Sequence, residues 1–147
     1  FWSPVHFPNQ PATMGILLDE KHPAFNNFPT DYHTDWQWWD LSIKSKSVIT
    51  DYLEVTPLVR VIDNFVTNHS LSTVFEAKVG KGKLVFSSID LSSDLINRPT
   101  ARQLRHSLLQ YMESDAFAPS KSIRMEDLQK IQVANSQDGF SSKEIYD

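Results

Sequence analysis

The residues best suited to chemistry cluster before the first third of the chain ends. Asp31-Tyr32-His33-Thr34-Asp35 places two carboxylates and an imidazole within five positions. A hard or borderline cation could be held by such a set. An acidic stretch before a helix also complements the positive end of the helix dipole. Directly after it come Trp36, Trp38 and Trp39. Flat indole faces stack on sugar rings or on other proteins. Each helical residue turns about 100° from the last, so Trp38 diverges from both Trp36 and Trp39. The three cannot form one platform, and at least one is expected in the core.

Other chemistry is poorly supported. Gly80-Lys81-Gly82-Lys83 lacks the spacing of a phosphate-binding loop and leads into a strand, where no helix N-terminus would face an anion. A hairpin turn explains it better. Arg98, Arg102 and Arg105 could grip a carboxylate or phosphate, although a solvated helix face or an interdomain salt-bridge face accounts for them better. Ser87-Ser88 sits within a strand pattern and not on a nucleophile elbow. Glu76, Asp63 and Asp90 are carboxylates of the type glycoside hydrolysis needs, but no spacing pairs them across a cleft. With no cysteine in the chain, thiolate catalysis, zinc–thiolate sites and disulfides are all excluded.

These groups must be positioned by a scaffold, and 147 residues with 40% hydrophobic and 22% charged content suit one globular α/β domain. A net charge of −4 disfavours nucleic acid as a partner. No apolar run approaches the roughly 20 residues that span a bilayer. The opening Phe1-Trp2-Ser3-Pro4, without initiator Met or leader, suggests a cut point within a longer polypeptide. Residues 1–14 read as loop, with Pro4, Pro8 and Pro11.

Gly15-Ile16-Leu17-Leu18 reads as a short buried strand. His22-Pro23-Ala24-Phe25 reads as one helical turn. Thr34 and Gln37 have capping-box spacing for a helix over 35–44, with Trp36, Trp39 and Ile43 on one face. Strands are expected at 47–50 and 58–62. A hairpin is expected over 71–79 and 83–91, its glycines supplying positive φ. Its first arm should turn Glu76 and Lys78 to solvent, and its second should lie deeper. The strongest helix runs from Arg98-Pro99 to about Glu113, with Ala101, Leu104, Leu108, Tyr111 and Met112 as its apolar stripe. A short helix over 125–131 precedes a mobile tail over 137–147.

Four stretches together resemble a known family. They are Thr13-Met14-Gly15-Ile16-Leu17-Leu18-Asp19-Glu20-Lys21-His22-Pro23, His33-Thr34-Asp35-Trp36-Gln37-Trp38-Trp39-Asp40-Leu41, Phe75-Glu76-Ala77-Lys78-Val79-Gly80-Lys81-Gly82-Lys83-Leu84, and Arg98-Pro99-Thr100-Ala101-Arg102-Gln103-Leu104-Arg105 through Tyr111-Met112. They are similar to the C-terminal accessory region of bacterial β-galactosidase-like enzymes of glycoside hydrolase family 2. The resemblance implies a flavodoxin-like, class I glutamine amidotransferase-like three-layer sandwich. Only its later part is present, over residues 1–115, ending in a β-hairpin and a helix, with 116–147 as an extension.

Amidotransferase chemistry of that fold uses a Cys nucleophile, which is absent here. The family's catalytic glutamates lie in a barrel elsewhere, the acid/base in an Asn-Glu pair that does not occur in this chain. The resemblance therefore implies a non-catalytic, cofactor-free and metal-free accessory domain in carbohydrate degradation, periplasmic or secreted. Its expected partners are the catalytic part of the same polypeptide, a further copy of itself, or carbohydrate. Trp2, Trp36, Trp38 and Trp39 are its candidate contact residues, with Trp2 and Trp38 expected at the surface. Two alternatives remain: a carbohydrate-binding module using surface Trp residues, and a free-standing hydrolase using a metal on Asp31, His33 and Asp35.

Overall fold

In the computed structural model, residues 15–63 and 68–131 are described. Trp2, the proline-bearing segment 1–14 and the tail over 137–147 lie outside them. In chain order the elements are β1 (Ile16–Leu17), a 3₁₀ turn (Pro23–Phe25), α1 (Trp38–Ile43), β2 (Val48–Ile49), β3 (Thr56–Val61), β4 (Leu71–Val79), β5 (Gly82–Ser87), α2 (Pro99–Glu113), β6 (Ser122–Ile123) and α3 (Met125–Leu128). The six strands form one mixed sheet, and with the helices it makes an α/β fold.

β4 organises the sheet, because its nine residues are long enough to pair with two strands along each edge. β3 pairs with it from Leu71 to Glu76 and β6 at Lys78 and Val79. Along the opposite edge, β2 pairs at Leu71 and Ser72 and β5 from Val74 to Val79. β1 adds to the outer side of β3. All pairings are antiparallel except β4 with β6.

Both sheet faces are apolar, and each has its own core. On one face Ile16, Val61, Leu71 and Val74 pack with Phe25, Phe28, Trp38, Leu41 and the inner side of α2. On the other, Val48, Phe75 and Ala77 pack with Ile123, Leu128 and Ile131. Phe75 and Phe86 stack there at 4.7 Å between ring centroids, the parallel cross-strand contact that aromatic pairs favour. Residues 123–131 thus close over this face of the sheet, while Phe117 packs into the core of the other.

Several expectations need correction. β4 is buried to Ala77, while β5 is only half-buried, so the depth of the two arms is the reverse of that expected. Glu76 is not solvated: it is 5% exposed, because α2 lies over it. Only Gly80 has positive φ in the turn, at 58°, as a two-residue loop with glycine first requires. Gly82 is already in β5. Thr34 does not cap α1, because its hydroxyl accepts the Ile16 amide at 2.8 Å; Asp35 Oδ1 instead accepts the Gln37 amide at 3.0 Å. Met112 leaves the α2 stripe and is half-exposed, and buried Ser107 takes a place on that inner face. Its hydroxyl donates to the Ala24 carbonyl at 2.6 Å and ties α2 to the 3₁₀ turn.

Candidate functional site

The turn before α1, which carries Trp36, and α1 itself, which carries Trp38 and Trp39, send the three indoles to opposite sides. Trp38 is 1% exposed, packs edge-to-face on Phe28 at 5.3 Å, and its Nε1–H donates to Thr30 Oγ1 at 2.8 Å. The expectation of Trp38 at the surface is therefore corrected: a buried indole needs an acceptor for its N–H, and Thr30 supplies one. Trp36 and Trp39 stand on the outside, 87% and 42% exposed, with Ile43 completing the same stripe. Their ring centroids are 6.1 Å apart and the rings tilt by 43°. The stripe at i, i+3, i+7 exists, but it faces out, while Trp38 and Leu41 face in.

This outward stripe places two exposed indoles side by side at the surface. Single exposed apolar residues are ordinary, whereas adjacent exposed Trp residues mark contact surfaces. The support beneath is firm: the Trp38 anchor fixes the helix, and Gln37 Nε2 donates to the Pro29 carbonyl at 2.8 Å.

The possible metal ligands do not assemble. The His33 ring is exposed, with Nδ1 at 2.9 Å from the Thr34 carbonyl, which selects the Nδ1–H tautomer. Asp35 is occupied with the Gln37 backbone and side-chain amides. Among the described residues no three His, Cys, Asp or Glu side chains converge as a metal site.

The scattered carboxylates also have structural partners. Glu76 Oε2 accepts the Tyr111 hydroxyl at 2.7 Å. Burial, reinforced by this carboxylate, pushes the Tyr111 phenol well above its usual range. Asp63 Oδ2 accepts the His69 amide at 2.8 Å. Asp90 Oδ1 accepts the Ser93 and Ser92 amides at 2.9 and 3.0 Å. These two N–H groups, Ser93 first, hold the Asp90 carboxyl far below the ordinary carboxylate range. Ser87 and Ser88 donate to the Ile89 and Thr73 carbonyls and form no nucleophile–imidazole pair among the described residues.

The arginines part company. Arg98 is no member of a solvated stripe: it is 4% exposed, with Nε on Asp40 Oδ2 at 2.8 Å and Nη1 on the Ser93 carbonyl at 3.0 Å. Asp90 lies 3.5 Å from Nη1. Nη2 is buried without a partner among the described residues. Arg102 and Arg105 remain exposed. Asp40 and Asp51, the latter receiving the His69 ring N–H and the Ser70 amide, were not singled out from sequence. Asp40 sits 58 positions from Arg98 and Asp51 sits 18 from His69, separations at which no local pattern registers a pair.

The chain belongs to the family described as a domain of unknown function, DUF8487, whose model matches residues 1–133. No curated protein matches the chain.

Proposed function

We propose that this member of the family is a non-catalytic accessory domain of a larger, β-galactosidase-like glycoside hydrolase acting in carbohydrate degradation. It works by contact, presenting the Trp36–Trp39–Ile43 stripe to the catalytic part of the same polypeptide or to a further copy of itself. One observation carries the reading: two adjacent indoles, 87% and 42% exposed, stand at the start of a helix anchored by a third, Trp36 in the turn before it and Trp39 in its first turn. The engagement of Glu76, Asp63 and Asp90 in hydrogen bonds of the scaffold supports it. So do the four stretches that resemble the accessory region of glycoside hydrolase family 2, and on the same ground the parent enzyme is periplasmic or secreted.

The finer fold reading is the later part of a three-layer, amidotransferase-like sandwich. Its support is the order hairpin then helix, with helices on one face and the 122–131 segment on the other. The antiparallel pairing of β4 with β2, β3 and β5 is a departure from the parallel sheet of a complete flavodoxin-like domain.

Hydroxyl-radical footprinting tests the contact directly. Trp36 and Trp39 should be oxidised readily in the isolated chain and protected in the native-length polypeptide. Equal oxidation in both would contradict the proposal. The exposure of Trp36 also favours a second reading, a carbohydrate-binding module, with stacking on sugar rings as its basis. Titration of the isolated chain with galactosides separates the two. Micromolar binding lost in Trp36→Ala selects the module; no binding tighter than millimolar selects the accessory domain.

A further inference from the structure

Leu17 is opposed to Arg60 across β1 and β3, Arg60 to Ser72 across β3 and β4, and Ser72 to Val48 across β4 and β2. Directly opposed residues share a sheet face. Val48 belongs to the Phe75–Ala77–Ile123 cluster, so Leu17 and Arg60 stand on the face that 122–131 covers. They stand on the half that none of the described residues covers, where Leu17 is 40% exposed and Arg60 is exposed. Two depressions meet there, of about 340 and 290 Å³. Leu53, Val55 and Ser70 line the first, Leu17, Leu18 and Asp19 the second, and Pro57 and Arg60 line both.

We infer that this half-face is a second docking surface, and that its occupant is a neighbouring polypeptide segment presenting apolar side chains around one carboxylate. Continuity supports the segment: the adjoining half is already covered by an apolar segment, through Leu128 and Ile131, whose end reaches the first depression. Next in the chain to Leu53 of that depression, the Tyr52 hydroxyl donates to the Lys130 carbonyl at 2.9 Å, and Val55, which lines it, packs in the same cluster as Ile131. Charge supports the carboxylate. Arg60 is the single cation in both linings and is exposed, and its side chain has no ion pair or hydrogen bond among the described residues. The one acid in either lining, Asp19, has Oδ1 on the Lys21 amide at 3.0 Å. A guanidinium bordered by Leu and Pro suits a fork-like pair with Asp or Glu as neighbouring apolar groups exclude water. A lone cation on a chain of net charge −4 does not suit a polyanion.

The inference rests on the accessory-domain reading only in expecting a polypeptide neighbour. Its test uses the 147-residue chain and two amphipathic helical peptides, alike except for a central Glu or Gln, followed by amide chemical shifts. The Glu peptide should shift Leu17, Leu53, Val55 and Ser70 and bind about tenfold more tightly than the Gln peptide, as one charge-assisted pair warrants. That preference should vanish in Arg60→Gln. Equal affinities, shifts confined to Trp36 and Trp39, or no shifts from either peptide would overturn the inference. Concentration-dependent shifts of the same amides without peptide would assign the face to a second copy and overturn it too. Loss of the Glu preference would leave the Trp36–Trp39 contact standing, whereas enzymatic turnover by the chain would sink the accessory reading without touching the peptide result.

Discussion

The Tyr111 hydroxyl donates to Glu76 Oε2 at 2.7 Å between α2 and β4. A carboxyl group at 5% exposure is tolerated on the core face of a central strand because that donor satisfies it. His22 packs edge-on to the same phenol at 5.3 Å, and Phe117 at 5.1 Å. One residue of α2 thereby joins the strand, the 3₁₀ turn and the segment leading to β6.

Tyr111→Phe removes the donor and keeps the ring. The variant should lose about 1–3 kcal/mol, the desolvation cost of a buried acceptor left unpaired. Urea denaturation near neutral pH measures this, and an unchanged midpoint would contradict the assignment.

The same pair sets an alkaline limit. The folded protein keeps the Tyr111 proton to higher pH than the unfolded chain, whose phenol titrates near 10.0. The contribution is therefore complete below pH 10 and is lost as pH rises above it. Wild type should show a fall in stability above pH 10 that is smaller in Tyr111→Phe. Parallel curves for the two proteins would refute the linkage.

The indoles at and before the start of α1 should separate cleanly by mutation. Trp38→Ala opens a cavity beneath the helix and should cost about 3–5 kcal/mol. Trp36→Ala removes a solvated ring and should stay within about 0.5 kcal/mol. Chemical denaturation of both variants gives the comparison, and similar losses would show that the sides are wrongly assigned.

Arg98 bridges α1, the 90–97 segment and the start of α2. Arg98→Met should cost about 2–3 kcal/mol, below the loss from a wholly buried pair because Asp40 and Asp90 are 33% and 31% exposed. Arg98→Lys should recover only part of it, since an ammonium cannot reach Asp40 and the Ser93 carbonyl as a fork does. Full recovery by Lys would argue against the geometry.

At the acid end, Asp90 and Asp51 titrate below their usual 3.8, chiefly because the Ser93 and Ser70 amides respectively donate to them. Their contribution is present above pH 3.8 and is lost as pH falls through the lower folded values. Asp90→Asn should flatten the acid flank of the pH–stability curve, and an unaltered flank would contradict it.

What could be read from the sequence was local. The hairpin around Gly80 and the α2 stripe of Ala101, Leu104, Leu108 and Tyr111 depend on turn chemistry and one period, and both are present. Periodicity located a stripe at Trp36, Trp39 and Ile43 but not its direction, since a helix with apolar residues on two sides offers two candidates for the core. Which side faces in is decided by Phe28 and Thr30, eight to ten positions upstream. Glu76 was misplaced for a similar reason: alternation marks two faces of a strand, and only α2 determines that both are covered. Arg98 with Asp40, and Arg60 on the half-face that no described residue covers, depend on chain crossings that no spacing encodes.

The central claim is that this chain contributes contacts and not bond cleavage. Turnover of a panel of nitrophenyl glycosides by the purified 147-residue chain tests it most directly. Rates indistinguishable from buffer are predicted. Enzymatic turnover that disappears in Glu76→Gln, Asp63→Asn or Asp90→Asn would contradict it.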